Sequence, residues 1–495
     1  MPSDLEGSIE PKRHDDLTGP GTVSFFMTAA ASWLGSIRGT SLTRIFSPWP
    51  STAGGSQPER LRPTAYLDGL RGFAAFLVYW HHHELWAHVP PQVSSLESAF
   101  GFDGLHYFAT LPGIRNFFHG GHFAVAVFYV ISGYVLSVKP LSLIQAGEQA
   151  KVADNLGSAL FRRWLRLYIP LICSTFVYMT IVHALDLKVD GIPRKSSYLQ
   201  AAWDFYAEVK NFTFIFHNGN LLSYNLHLWS IPYEFKGSIV TYTGLIAFSR
   251  CGKNARLWCE AGLVFYFLYI VDGWYCALFA AGMLLSDLDQ LAAKDELPSF
   301  FAHFRPYKKA IFYAMLTIAM FLGGCPVHSV EITYLRKNPG WYLLSFLKPQ
   351  AVFDFKWFFL FWAAVLFVAA TRHILWLKHF FETPFCQYLG RVSFSLYLVH
   401  GPVLSTVGER LYAAVGWPKA SRLNNIPGWV DVFPLPTSGP LGLEIAFLAP
   451  HLILLPVTFY VAEVVTRAFD EPSVRFPQWL YKTATASARP ARLPA

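Results

Sequence analysis

LDGLRGFAAFLVYWHHHELW, residues 67 to 86, is an apolar run of the length that crosses a bilayer, yet it carries Arg71 and three consecutive histidines. Ionisable groups in hydrocarbon are expensive, so their relative position decides how the run is read. Arg71 and His82 are eleven residues apart, which at 100° per residue leaves them about 20° from one shared face and about 16 Å apart along the axis. His81 falls about 80° to one side and His83 about 120° to the other. Asp68, three residues before Arg71, lies near the same face and can orient the guanidinium. The functional reading is a polar strip from the cytoplasmic end to mid-membrane, with an imidazole at depth. The plainer reading is three interfacial histidines snorkelling at the lumenal end. A metal site built from His81, His82, His83 and Glu84 is disfavoured and no metal is expected, because consecutive helical positions point in different directions.

The composition agrees with a membrane setting. Of the 495 residues, 53% are hydrophobic and 15% charged, against about 25% charged in soluble domains. The mean hydropathy is +0.32, and 44 Phe, 24 Tyr and 16 Trp supply more apolar surface than one or two soluble cores would hide. Most of these aromatic residues fit interfacial belts and lipid-facing surfaces. Six cysteines without a C-x-x-C pair exclude a zinc ribbon and a disulfide-dense scaffold. The net charge of +8 fits basic cytoplasmic loops rather than a nucleic-acid footprint, so no nucleic-acid partner is expected.

The expected fold is all-α, a polytopic transmembrane bundle of about ten spans. They are placed at 67–88, 118–138, 163–186, 229–249, 257–271, 273–288, 308–323, 352–370, 388–407 and 440–466. The fifth and sixth are short, with Asp272 and Gly273 between them. Residues 1–63 read as a flexible cytoplasmic tail, in which 25–37 is too short for a span and suits an interfacial helix. Residues 64–470 form the membrane domain and 471–495 a short cytoplasmic tail. With the N-terminus cytoplasmic, the four internal cytoplasmic stretches hold about 15 Lys and Arg in about 79 residues. The opposite loops hold about 11 in about 131, less than half that density, so both termini are expected in the cytoplasm. The sequon Asn211-Phe212-Thr213 then falls in the lumenal loop 187–228, as a glycosylation acceptor should.

Other polar residues recur near the spans. Ser132-Gly133 permits a close helix approach or a kink, with packing the plainer reading. Arg162, Arg163 and Arg166 sit just before the third span at i,i+3 and i,i+4 spacing, able to clamp a phosphate or to anchor a helix on anionic lipid. Glu234 follows Pro232 at a helix start, where a carboxylate can satisfy free N–H groups or enter a cavity. Ser393 and His400 are seven residues apart on one face with Tyr397 between them, a pattern a satisfied core histidine also explains. Glu463, Asp470 and Glu471 read as solvated carboxylates at the cytoplasmic exit.

Taken in order, these pieces resemble the acyltransferase-3 family of integral membrane acyltransferases. The resemblance rests on Tyr66 to Gly72 followed by His82, on Phe128 to Gly133, on Arg162, Arg163 and Arg166, on Leu228-Trp229-Ser230 through Glu234, and on Leu389-Gly390 through His400. Tyr129, where the family often has a second Phe, and Pro232 depart from its pattern without removing a titratable group. Larger members append an esterase-like domain, and too little chain follows the last helix here for one. The resemblance implies transfer of an acyl group, commonly acetyl, from acyl-CoA to a hydroxyl of a small molecule, lipid or glycan. A hydroxyl needs a positioned base, and His82 suits the task, with a transient acyl carrier as the other role. Arg71, oriented by Asp68, would steady the thioester or the oxyanion. Arg162, Arg163 and Arg166 would hold the CoA phosphates. Glu234 would polarise His82 or bind the acceptor, while His400, Ser132 and Tyr397 are candidates for the acceptor side.

Two other classes share some of these features. A secondary transporter of a small polar or anionic substrate also has midplane charges, but its halves should repeat, and the hydropathy order shows no convincing repeat. A haem-bearing carrier needs facing histidine pairs at two depths, and the first span has no second histidine about four turns from His82.

Overall fold

The computed structural model describes residues 45–46, 61–192, 194–217, 219, 221–417 and 425–486. The expected N-terminal tail and its apolar stretch at 25–37 lie almost wholly outside the described residues. The described chain is helical. No β-strand occurs among these residues, and a single isolated bridge pairs Leu222 with Asn225.

The principal helices are α1 (Ala65–Ala87), α2 (Gly121–Gln145), α3 (Gln149–Ala184), α4 (Tyr198–Phe212), α5 (Ser230–Phe248), α6 (Lys253–Phe265), α7 (Trp274–Ala293), α8 (Lys308–Gly323), α9 (Phe355–His373), α10 (Pro384–Val403), α11 (His451–Val465) and α12 (Glu471–Ala486). A helix occupies each of the ten expected positions. Among the described residues, five helical runs are long and apolar enough to cross a membrane: α2, α3, α7, α9 and the continuous run Ile445–Ala486. The other five fall short for visible reasons. Polar side chains interrupt α1, α5 and α10, and α6 and α8 have only 13 and 16 residues.

Local chemistry accounts for the boundaries. α1 stops before Pro90-Pro91, because the residue preceding a proline is pushed out of the helical region. Pro232 sits in the first turn of α5, where a missing N–H leaves no hydrogen bond unmade. α6 extends through a π turn to Ile270 and breaks at Val271, close to the expected Asp272-Gly273 separator. Three features differ from expectation. α3 begins fourteen residues before the expected span, so the arginine cluster lies mid-helix, and its 36 residues reach about 54 Å, beyond the hydrocarbon thickness. The loop 187–228 contains α4, capped by the Ser197 hydroxyl on Gln200 N, with exposed Trp203 and Tyr206 on its surface. Past a π turn at Thr466–Asp470 the chain continues as α12, which packs on α3 through Phe161 and Tyr481 instead of trailing as a tail.

Contacts set the helix directions. Gly72 of α1 lies against Gly390 of α10, and His82 against His400, so these two helices run parallel. α2 and α7 are also parallel: Gly133 meets the Phe279 backbone, and Gln145 further along reaches Asp287 at 2.7 Å. α11 runs antiparallel to α1, with His451 beside His83 and, further along α11, Thr458 beside Tyr79.

Candidate active site

Two polar layers lie along the contact of α1 and α10. The first is a cavity of about 200 Å³ between α1, α2, α3, α5 and α10. Arg71, Ser132, Arg163, Arg166, Glu234 and Tyr397 line it, joined by Arg391, Ser393, Ser230 and Asp470. Its lining carries four guanidinium groups and two carboxylates, and Asp68 and Glu463 stand just behind Arg71 and Arg391. Each arginine is held in place. Arg163 pairs with Glu234 and donates from Nε to Ser238 Oγ at 2.8 Å, while the Ser132 hydroxyl donates to Glu234 at 2.7 Å. Arg166 donates to Asp470 Oδ1 at 2.5 Å. Arg391 pairs with Glu463.

Asp68 Oδ1 lies 3.4 Å from Arg71, as the i,i+3 spacing predicted. Arg71 also donates to the Gly390 carbonyl at 3.3 Å. Both partners draw the guanidinium toward the N-terminal end of α1, and His82 is about three turns in the other direction. Arg71 therefore belongs to the arginine cavity and not to the surroundings of His82. Glu234 is likewise tied to Arg163 and Ser132, so it does not polarise His82. Arg162 turns back to its own helix, donating to Ser158 O at 2.9 Å, and is not part of the cavity wall.

The second layer is a cluster of three imidazoles. The His82 ring centroid is 5.0 Å from that of His400 and 4.3 Å from that of His227. His400 is buried, and its Nε2 lies 3.2 Å from His82 Nδ1. The three rings offer nitrogens that all lie within 4.8 Å of one another, a donor set able in principle to hold a metal ion. The hydrogen bonds fix which nitrogen of His82 carries a lone pair, an orientation that serves a base as well as a ligand. His82 Nδ1 also faces Val78 O at 2.9 Å, which requires a proton on that nitrogen and leaves Nε2 with the free lone pair.

Tyr397 connects the layers. It lines the arginine cavity, and its hydroxyl donates to the His227 carbonyl at 2.5 Å and lies 2.6 Å from Ser230 Oγ. Tyr129 adds a bond to Ser230 O at 2.9 Å, and Asn225 Nδ2 bonds Leu398 O at 2.8 Å. The face expected on α10 thus exists in order: Ser393 in the cavity, Tyr397 at its roof and His400 beyond. The sequon Asn211 is exposed at the last turn of α4.

His227, Arg391 and Asp470 were not singled out as site residues from the sequence. His227 lies 145 residues from His82, and no helical spacing relates them. Asp470 read as a solvated exit carboxylate, yet it and Glu463 are buried beneath arginines, because α11 brings Glu463 to Arg391 of α10 and the π turn after it brings Asp470 to Arg166 of α3.

Comparison with known proteins shows what the chain is similar to. An O-acetyltransferase, PaAT-1 of Phomopsis amygdali, is 29% identical over 471 residues, covering 86% of each chain. The acyltransferase clz18 of Cochliobolus lunatus is 22% identical over 85% of this chain and 96% of its own. The acyltransferase R4 of a Phoma species is 24% identical over 72% of this chain and 86% of its own. No solved structure matches. The acyltransferase-3 domain itself matches residues 64–444, which takes in both polar layers apart from Glu463 and Asp470, and the chain belongs to that family of acyltransferases.

Proposed function

We propose that this acyltransferase is an integral membrane O-acyltransferase that moves an acyl group, commonly acetyl, from acyl-CoA to a hydroxyl of a small molecule, lipid or glycan. The observation that carries the reading is the alignment of the arginine cavity and His82 along one helix contact. In this reading Arg163 and Arg166, helped by Arg71 and Arg391, hold the donor phosphates at the cytoplasmic end. The four guanidinium groups gathered on one cavity wall support that assignment. The pantetheine arm then carries the thioester along α10 toward His82. His82 Nε2 takes the proton from the acceptor hydroxyl as its oxygen attacks the thioester carbonyl. The tetrahedral intermediate expels the thiolate, which receives that proton from the imidazolium, so the exchange of ester for thiol needs no other reactant. Ten spans with both termini cytoplasmic fit the parallel pairs, because α1 and α10 would be the first and ninth spans and α2 and α7 the second and sixth. Asn211 then faces the lumen and is open to glycosylation.

The test is label retention from radiolabelled acetyl-CoA in lipid and glycan extracts of membranes carrying wild-type or His82→Ala protein. Transfer by the wild type alone supports the reading and exposes the acceptor's chemical type. Equal labelling by both, with equal protein in the membrane, removes His82 from the reaction.

A further inference from the structure

Both hydrogen-bonding nitrogens of His400 have identifiable partners. Its Nδ1 lies 3.2 Å from the Leu396 carbonyl, one turn back on its own helix, and therefore carries the proton. Its Nε2 is left with a lone pair, and that atom faces His82 Nδ1 at 3.2 Å. His82 Nδ1 carries a proton for the same kind of reason, since Val78 O stands 2.9 Å from it. The single Nδ1 proton of His82 is thus shared in a three-centre hydrogen bond between Val78 O at 2.9 Å and His400 Nε2 at 3.2 Å.

We propose that His400 is the positioning residue of a His–His dyad, holding His82 in the Nδ1–H tautomer together with the Val78 carbonyl and accepting a share of that hydrogen bond as His82 becomes positively charged. The logic parallels the carboxylate of a Ser-His-Asp triad, with a neutral imidazole as the acceptor. A carboxylate brings its own charge into the bilayer, and an imidazole does not. The position suits the role. His400 is 1% exposed, so water does not compete for its Nε2, whereas the half-buried His82 keeps Nε2 for the acceptor. His227 completes a triangle with the dyad, its ring centroid 4.3 Å from that of His82 and 5.1 Å from that of His400. Gly401 leaves room for it, because a Cβ there would overlap His227 Nδ1.

This inference rests on His82 acting as the base, and the test separates the two. Label transfer from radiolabelled acetyl-CoA is measured at varied donor concentration for full-length His400→Ala, His400→Gln, His82→Ala and His82→Ala with His400→Ala, each normalised to protein in the membrane. His400→Ala should lower apparent kcat by about 10²-fold, the lower range for losing effective base catalysis, while KM for acetyl-CoA stays within about twofold. His400→Gln offers an amide oxygen near the place of Nε2 and should recover about tenfold of that loss, a rescue that a merely structural role would not give. In the His82→Ala background, His400→Ala should cause no further fall, since the two residues act as one unit. Full activity of His400→Ala beside an inactive His82→Ala overturns the dyad alone. Activity of His82→Ala overturns the base reading instead. Stoichiometric zinc in the purified enzyme, with chelator-sensitive activity restored by zinc, overturns the dyad in favour of a three-histidine metal site.

Discussion

Gly72 of α1 and Gly390 of α10 meet main chain to main chain: a Cβ on Gly72 would overlap Gly390 N, and one on Gly390 would stand 2.5 Å from the Asp68 carbonyl. This contact fixes the two helices that carry Arg71, His82, Ser393, Tyr397 and His400, so both polar layers depend on it. Gly72→Ala and Gly390→Ala should each cost about 1–3 kcal/mol through forced separation of the helices. The thermal midpoint of detergent-extracted protein should fall for both. Gly262→Ala in α6 has nothing within 4 Å of its added Cβ and should leave the midpoint level or slightly raised.

The ion pair of Arg163 with Glu234 is largely shielded, with 15% and 14% of the two side chains exposed. Removing one partner leaves the other uncompensated, which costs about 3 kcal/mol or more when the site is buried. Arg163→Ala and Glu234→Ala should each lower the amount of folded protein recovered from membranes. The double variant should recover part of that loss while still binding donor weakly. An additive double variant would mean that the pair contributes no coupling.

Arg166 is the more exposed of the two paired arginines, with 35% of its side chain exposed against 15% for Arg163, and so is the better placed to meet a donor. Arg166→Ala should raise the apparent KM for acetyl-CoA by about tenfold with kcat nearly unchanged, the signature of lost uniform binding. A fall in kcat alone would detach the arginine cavity from donor binding and return the cluster to lipid anchoring.

The sequence made one face of α1 legible, because helical spacing is a local property: Arg71, Asp68 and His82 do share the contact with α10. It also located a helix at every expected position, since apolar runs bounded by charge and proline need no tertiary information. What it could not separate was the two layers. Arg71 and Glu234 were grouped with His82 as one catalytic set, and only the long-range contacts with Gly390, Arg163 and Ser132 tie them to the cavity three turns away. Long-range packing also supplies His227, Arg391 and Asp470. The early start of α3 was hidden because its first turns are polar, which hydropathy discounts although helix propensity does not.

Asn211 is exposed at the end of α4, and the topology proposed here sets that helix in the lumen. Expression in a glycosylating host should give a band that shifts on glycosidase treatment, and Asn211→Gln should remove the shift. The Thr213 hydroxyl donates to Val209 O at 2.8 Å, so the last turn must open for modification, and partial occupancy is expected. A wild-type band insensitive to glycosidase, together with cytoplasmic labelling of a cysteine placed at 211, would reverse the orientation.

Tyr397 tests whether the two layers cooperate. Its hydroxyl joins the backbone of His227 to Ser230, and its ring lines the arginine cavity, so it touches both ends of the proposed path without supplying a charge. Tyr397→Phe keeps the ring and removes only those bonds. The His227 carbonyl and Ser230 would lose a buried partner, a cost of about 1–3 kcal/mol that the short segment 225–230 must absorb by shifting. Because His227 stands against His82, the shift should reach the imidazole cluster as a loss in kcat of about tenfold, with KM for acetyl-CoA little changed since every arginine remains. Tyr397→Phe with normal kcat and a raised KM would make Tyr397 part of the donor cavity alone and leave the imidazole cluster independent of it.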